Sequence, residues 1–324
     1  MRRIILFSII CLLLTACGKV SSKSVIDKFH EKLENDSYFI KGNLSVLNQD
    51  EVYHYDVEVS YKKGFYKVIL INTANNHEQV ILKNKDGVYV LTPALNKSFR
   101  FQSEWPYNHS QVYLLDCLLD DLKRDHNVEF SEKNNDYILK TNVNYPNNRR
   151  LLYQKIIFSK SITPKKVSVY DKDGIEYLTM NFNKVKYKPN FSKDEFLLDA
   201  VSNKSDTAIT GSFEDIIYPL FLPEGTKLES EEMVPKESGN RVLMNYDGEK
   251  SFLLVEESMD VFDEFTVIPT LGEPYLLMDT IGVMTDNSLS WTSNGVDFYL
   301  VSDVMSQDEL VEVAQSIVGI VAMK

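Results

Sequence analysis

Hydrophobic and polar residues alternate strictly between residues 52 and 62. The odd positions carry Tyr53, Tyr55, Val57, Val59 and Tyr61, whereas the even positions from 54 onward carry polar side chains. A period of two residues predicts a β-strand with one buried and one solvated face. A turn at residues 62–64 then leads into a second predicted strand at 65–71.

Further runs of apolar and β-branched residues predict more strands, because turn signals rich in Gly, Asn, Asp and Pro separate them. These strands are expected at residues 39–47, 79–83, 88–92, 98–102, 137–143, 151–159, 165–170 and 176–187. Their regular spacing and hairpin connections predict one large curved antiparallel sheet or an open barrel.

Two helices are predicted within this β-rich region, at residues 24–33 and 110–124, from apolar positions at helical spacing. A curved sheet with an apolar concave face needs helices to cover it, so the sequence favours an α+β class. Either the helices fill the hollow completely, or they form a lid over a cavity for an apolar ligand. The candidate cavity-lining residues are Tyr53, Tyr55, Tyr61, Leu115, Leu119 and Leu122.

The composition changes after residue 198. Residues 199–212 are small and polar and predict a linker. Residues 213–324 then predict a small α+β domain, in which Asn294-Gly295 marks a tight hairpin. Ser306 and Glu309 form a capping box that predicts a final helix over residues 307–321. Strands are expected at residues 241–246, 251–256, 275–279, 282–285, 289–292 and 296–301.

The N-terminus carries an export signal. Arg2 and Arg3 precede an apolar run at residues 4–14, which is shorter than the roughly 20 residues that a membrane-spanning helix needs. Residues 14–17, Leu-Thr-Ala-Cys, resemble a bacterial lipobox. The resemblance implies cleavage before Cys17 and its modification with diacylglycerol and a further acyl chain such as palmitate. The alternative is an ordinary secretory signal with a chance cysteine.

A lipidated Cys17 would hold the chain on the outer face of the cytoplasmic or spore membrane. Two or three acyl chains suffice for stable anchoring, whereas one chain holds only marginally. In this interpretation residues 1–17 are the signal, residues 18–23 a tether, and residues 24–198 the β-rich domain.

Composition narrows the classes of function. The 324-residue chain is 44% hydrophobic and 25% charged, which is ordinary for a globular protein. Its formal net charge of −12 is unsuited to nucleic acid, whose binding relies on basic patches.

The sequence carries no recognisable catalytic motif. The five histidines show no metal-ligand spacing, and no nucleophile elbow or phosphate-binding glycine loop occurs. Cys117 lies in an apolar helical run and is expected to be a buried hydrophobe rather than a nucleophile. We therefore expect a non-enzymatic protein without a metal or cofactor.

One run resembles a known family. Residues 86–106, Asp-Gly-Val-Tyr-Val-Leu-Thr-Pro-Ala-Leu-Asn-Lys-Ser-Phe-Arg-Phe-Gln-Ser-Glu-Trp-Pro, are similar to LolA-like, GerS-related germination and sporulation lipoproteins of spore-forming Firmicutes. The resemblance implies an open, curved antiparallel sheet with helices over its hollow across residues 24–198. Residues 289–317 resemble a small α+β domain that is common in extracytoplasmic Firmicute proteins.

The resemblance implies two alternative functions. In the first, the anchored protein is an accessory factor of sporulation or germination that binds a cell-wall amidase of the spore cortex. In the second, the concave face holds a lipid or an acylated peptide, so that the protein carries or senses lipid. An anchored chain cannot shuttle cargo between two membranes, which weakens a literal carrier function.

Overall fold

The computed structural model describes residues 20–34, 37–48, 51–102, 104, 109–146, 148–202, 216–236, 239–260, 262, 264–277, 280–293 and 296–317. The predicted signal with Cys17, the turn Asn294-Gly295 and residues 203–212 of the predicted linker lie outside the described residues. Within the described ranges, no helix combines the length and the apolar character that a membrane crossing requires.

Two β-sheets make up most of the structure. The larger has twelve strands in the order β15-β6-β5-β4-β3-β2-β1-β11-β10-β9-β8-β7, and the smaller has seven in the order β12-β13-β14-β19-β18-β17-β16. The strands are β1 (Ser37–Asn48), β2 (Glu51–Lys62), β3 (Phe65–Asn72), β4 (Glu78–Asn84), β5 (Gly87–Thr92), β6 (Lys97–Phe101), β7 (Glu129–Lys133), β8 (Asp136–Asn142), β9 (Tyr153–Phe158), β10 (Pro164–Tyr170), β11 (Glu176–Tyr187), β12 (Lys227–Lys236), β13 (Gly239–Asp247), β14 (Phe252–Ser258), β15 (Thr266–Thr270), β16 (Glu273–Leu276), β17 (Ile281–Met284), β18 (Ser288–Ser293) and β19 (Val296–Val301).

Helices are few in the described part of the chain. They are α1 (Ser22–Leu33), α2 (Leu115–Arg124), the short α3 (Leu198–Ser202) and α4 (Gln307–Gln315), with a 3₁₀ turn at Pro93–Leu95. The expectation of an α+β fold with helices covering the sheet therefore needs correction: the large antiparallel sheet is present, but strands dominate. Helices are few because most connections between the strands are turns with no room for a helix.

The alternation that predicted β2 is seen in the structure. Tyr55, Val57 and Val59 are buried, while the polar residues between them are exposed or half-buried. β2 pairs antiparallel with β1 and β3 along its length, so one face of each strand contributes to a common core.

Local signals predicted the start of one helix correctly but not the others: α1 begins at Ser22, two residues before the predicted start at residue 24. Ser21 caps α1, and Ser24 completes the capping box from the third helical position. The predicted box of Ser306 and Glu309 likewise begins α4, which ends at Gln315 rather than continuing to residue 321. α2 begins at Leu115, five residues later than predicted, because residues 110–114 are held in another conformation described below.

β15 joins the larger sheet from a distant part of the sequence. It pairs in parallel with β6, whereas the other strand pairs of this sheet are antiparallel. Asn96 organises the junction: its side chain donates to the carbonyl of Phe262 (2.8 Å), and its own carbonyl accepts from the Thr266 amide (2.7 Å). Asn96 has a left-handed backbone (φ 51°), which asparagine tolerates better than most residues.

The two sheets share an interface. Ile281 and Val283 of β17 belong to the same hydrophobic core as the larger sheet. Gln79 of β4 is buried and reaches across, where its side-chain oxygen accepts hydrogen bonds from the Ile281 amide (2.5 Å) and the Thr280 hydroxyl (3.2 Å). A second core lies between the smaller sheet and α4.

Candidate functional site

The six candidate cavity-lining residues lie in the main core. Tyr55, Leu115, Leu119 and Leu122 are buried within it, and Tyr53 and Tyr61 are half-buried against it. Leu115, Leu119 and Leu122 share this core with Phe29 of α1. None of the six lines the cavity of about 270 Å³ described below, or a second cavity of about 380 Å³ beside Gln79, Trp291 and Phe298.

Tyr61 supports the first turn of α2. Its ring stacks on Tyr38, with centroids 4.6 Å apart, and both hydroxyls hydrogen-bond to the carboxyl of Asp116. The Tyr38 hydroxyl also accepts from the Leu115 amide (3.1 Å), which satisfies a donor at the helix N-terminus. Burial raises the pKa of Asp116 to about 6, although these hydroxyls act to lower it.

Asp121 is the polar centre of α2. The carboxylate is buried and accepts hydrogen bonds from the Ser110 hydroxyl (2.9 Å) and the Gln154 amide (2.8 Å), with Arg124 at 3.3 Å. Burial raises the pKa of Asp121 to about 6, against the lowering effect of Ser110. Ser110 also exchanges hydrogen bonds with Asn144. The network therefore holds residues 110–114 outside the helix and ties them to the loop that follows β8.

These two segments form one wall of a cavity of about 270 Å³, which we call the junction cavity. Its opposite wall comes from β16, β17 and α4, and its floor from strands of the larger sheet. The lining residues are Val46, Leu47, Ile81, His109, Gln111, Val112, Tyr113, Tyr145, Pro146, Asn148, Arg150, Leu151, Tyr177, Leu178, Pro274, Tyr275, Leu276, Ile281, Asp308, Val311, Glu312 and Gln315. The cavity thus lies where the two sheets meet.

Polar contacts cross the rim of the junction cavity. Arg150 pairs with Glu312 of α4 (2.5 Å), and the Arg149 amide donates to Asp308 of the same helix (3.1 Å). On another side, His109 Nδ1 lies 3.3 Å from the Glu273 carboxylate. Each contact joins a loop of the larger sheet to the C-terminal part of the chain, so these contacts must break before the cavity can open.

Three tyrosines give the cavity its hydrogen-bonding capacity. Burial raises the pKa of Tyr113, Tyr145 and Tyr275 well above the ordinary value, so their hydroxyls stay protonated at neutral pH. The buried Tyr145 hydroxyl has no hydrogen-bond partner among the described residues. A protonated hydroxyl in an apolar wall is suited to donate to a ligand carbonyl or ester oxygen.

Cys117, the cysteine that the sequence predicted to be a buried hydrophobe, does not line the junction cavity. The described residues contain no group of three side chains that could hold a metal ion. Cys117 is buried, and burial raises the pKa of its thiol well above the ordinary value, so the reactive thiolate is disfavoured.

Sequence reasoning did not identify Tyr145, Tyr275 and Arg150 as neighbours. They come from loops and strands far apart in sequence, and their local patterns are ordinary. No local periodicity could bring them together, since only the packing of β16, β17 and α4 on the larger sheet does so.

We expect Arg150→Ala to change stability little. The Arg150 and Glu312 side chains are 46% and 40% exposed, and exposed ion pairs contribute less than about 1 kcal/mol. Urea unfolding of Arg150→Ala, Glu312→Ala and the double variant would measure the coupling. A loss above about 2 kcal/mol would instead mean that the docking of α4 depends on this pair.

Comparison with known proteins identifies a relative over nearly the whole chain. The chain is 38% identical over 316 residues to the sporulation protein YdcC of Bacillus subtilis (strain 168), covering 95% of this chain and 94% of the relative. This relative confirms the resemblance to sporulation proteins that was inferred from residues 86–106. No protein-family model matches the chain.

Solved structures show weaker likeness. The crystal structure of MucB is 12% identical and covers 92% of this chain and 98% of its own, with a TM-score of 0.37. An outer membrane lipoprotein-sorting protein domain from Vibrio parahaemolyticus is 12% identical and covers 56% and 100%, with a TM-score of 0.34. A chain of the structure of the CwlD amidase from Clostridioides difficile in complex with the GerS lipoprotein gives 16% identity, coverage of 52% and 98%, and a TM-score of 0.25.

Proposed function

The chain belongs to the family of the sporulation protein YdcC, and from this premise we propose that it is a membrane-anchored, non-enzymatic binding protein of sporulation. The observation that carries the proposal is identity extending over 95% of the chain, which includes both sheets and the junction between them. Cys17 is the proposed lipid anchor, and the extracytoplasmic face of the membrane the proposed location.

The proposed partner is a cell-wall amidase of the spore cortex. The resemblance of residues 86–106 to GerS-related lipoproteins supports this choice. In the structure this run contains β5, the 3₁₀ turn and the whole of β6, where β15 pairs with β6. The segment is therefore part of the interface between the two halves of the chain, and a partner would contact it together with the C-terminal part.

Deletion and complementation in the native host test the proposal. We expect the deletion to lower the number of heat-resistant spores or to change cortex modification, and the wild-type gene to restore both. Complementation with Cys17→Ala tests the anchor: the protein should leave the membrane fraction and restore function poorly. Normal spores, cortex and germination in the deletion strain would contradict a role in sporulation.

The junction cavity favours a second candidate function, the binding of a lipid or an acylated peptide. Its apolar walls and protonated tyrosines match an acyl chain with a carbonyl or ester oxygen. Mass spectrometry of protein purified from sporulating cells distinguishes the two. Stoichiometric lipid without a protein partner supports this alternative, whereas a stoichiometric amidase supports the accessory role.

A further inference from the structure

The smaller sheet ends in a long strand with an open edge. β12 is the terminal strand and pairs on one side with β13; no strand pairs with its other side in the part of the chain that the structure describes. Most of its side chains are exposed. An edge of this kind presents unpaired backbone N–H and C=O groups, and is a ready template for another strand.

The apolar face of the sheet continues onto this edge. Met233 lies opposite Val242, which lies opposite Glu256 on β14, so that these three side chains share the face covered by α4. Glu231 lies on the same face of β12, opposite Met244 of β13. The edge strand itself is not covered: Met233 is 53% exposed and Leu228 is 38% exposed. The uncovered strip is therefore apolar on either side of a carboxylate.

Two carboxyl groups on this face have no cationic partner among the described residues. The Glu231 carboxylate accepts from the Tyr218 hydroxyl (2.6 Å), and the Glu256 carboxyl accepts from the Ile217 amide (3.0 Å). Glu256 is 0% exposed, and its second oxygen has no partner among the described residues. The negative charge of Glu231 reaches Glu256, since it contributes to raising the Glu256 pKa. A positively charged group at the edge would relieve both.

The charge of β12 limits which strand could pair with its open edge. Glu229, Glu231 and Glu232 lie within one strand, and the whole chain has a net charge of −12. Two copies of β12 paired edge to edge would bring these carboxylates together, which is unfavourable. The register shift near Glu229 and the proline at position 235 confine regular pairing to residues 230–234. The edge therefore suits a short basic strand from a different protein.

We propose that the open edge of β12 binds an extended, basic segment of a partner protein as an added strand, with a Lys or Arg beside Glu231 and an apolar residue beside Met233. Backbone hydrogen bonds supply affinity and the alternating side chains supply specificity, as in other cases of strand addition. The surface is separate from the junction cavity and adds to the proposed function a second binding site that does not depend on a role in sporulation.

Two labelled peptides of defined sequence test the proposal on the full chain purified in mild detergent. One has threonine at every second position and lysine and valine in turn at the positions between, so that a lysine and a valine lie two residues apart on one face. The other has glutamate in place of lysine. By fluorescence anisotropy, the basic peptide should bind at least about tenfold more tightly than the acidic one. Hydrogen exchange should slow at the amides of residues 230–234 when the basic peptide binds, because added backbone pairing protects them.

A matched pair of variants separates local recognition from overall charge. Glu231→Lys should weaken binding of the basic peptide by about tenfold or more, whereas Glu232→Lys, on the opposite face, should weaken it by less than about threefold. Glu231→Gln serves as a milder second variant, with thermal unfolding as the folding check. The proposal is overturned by lack of binding, by equal effects of the two lysine variants, or by dimerisation of the chain through β12.

Discussion

Leu115→Ala is expected to lower the free energy of unfolding by about 2–5 kcal/mol. Leu115 is 0% exposed and packs in the core shared by α1, α2 and the larger sheet. Truncation removes apolar contacts and leaves a void that close-packed neighbours fill only in part. Its backbone amide still donates to the Tyr38 hydroxyl, so the helix start is preserved.

Urea unfolding of the full chain measures this loss. Leu220→Ala is the matched control, because Leu220 is 77% exposed and its truncation should change stability by less than about 0.5 kcal/mol. If both variants cost equally little, the space beside Leu115 would already be open, as the wall of a ligand cavity requires. A large, selective cost identifies Leu115 as packed core.

The apolar face of α2 could be predicted from the sequence, whereas the sequence left open whether that face packs as core or lines a cavity. The spacing of Leu115, Leu119 and Leu122 places them together on any helix, and an apolar face has the same pattern whether it lines a cavity or packs solidly. The helix start also depends on distant partners. Ser110 binds Asp121 and Asn144 instead of entering the helix, although the residues that follow it continue the apolar pattern.

Pairing between strands that are far apart in sequence was the other feature that local patterns could not predict. β2 was predictable because its alternation spans many residues and both neighbouring strands are close in sequence. β15 has a proline at position 269 and only half-buried or exposed side chains, so it carries no strong strand signal. Its partner β6 lies far away in sequence, and the Asn96 junction that aligns the two strands forms only in the folded protein. The junction cavity depends on the same kind of long-range packing.

Glu256→Gln is expected to stabilise the protein by about 3 kcal/mol at pH 8 and to have little effect below about pH 4.5. Burial, with a smaller contribution from the Glu231 charge, raises the pKa of Glu256 from 4.5 to about 7, against the lowering effect of the Ile217 amide. A shift of this size corresponds to about 3 kcal/mol at 1.36 kcal/mol per unit. Glutamine keeps the acceptor for Ile217 and removes the buried charge.

The sign of this pH dependence follows from proton binding to Glu256 in the folded and unfolded states. Between pH 4.5 and about 7 the folded protein holds a proton on Glu256 that the unfolded chain has released, so the contribution of Glu256 to stability falls as pH rises through this window. Above about pH 7 the folded protein carries the buried charge at full cost. In Glu256→Gln this part of the pH dependence should be absent.

Glu257 provides the matched control, because it is the next residue and lies on the other face of β14. Burial alone would raise its pKa, but hydrogen bonds from Arg241 and Lys236 outweigh burial and lower it. Its contribution to stability is present at neutral pH and is lost as pH falls through its folded-state pKa, so Glu257→Gln should destabilise where Glu256→Gln stabilises. Urea unfolding of both variants from pH 4 to 8 measures the contrast. Equal effects at pH 8 would show that Glu256 is solvated or neutralised by a cation, and would remove the unpaired buried carboxyl on which recognition at the edge of β12 partly rests.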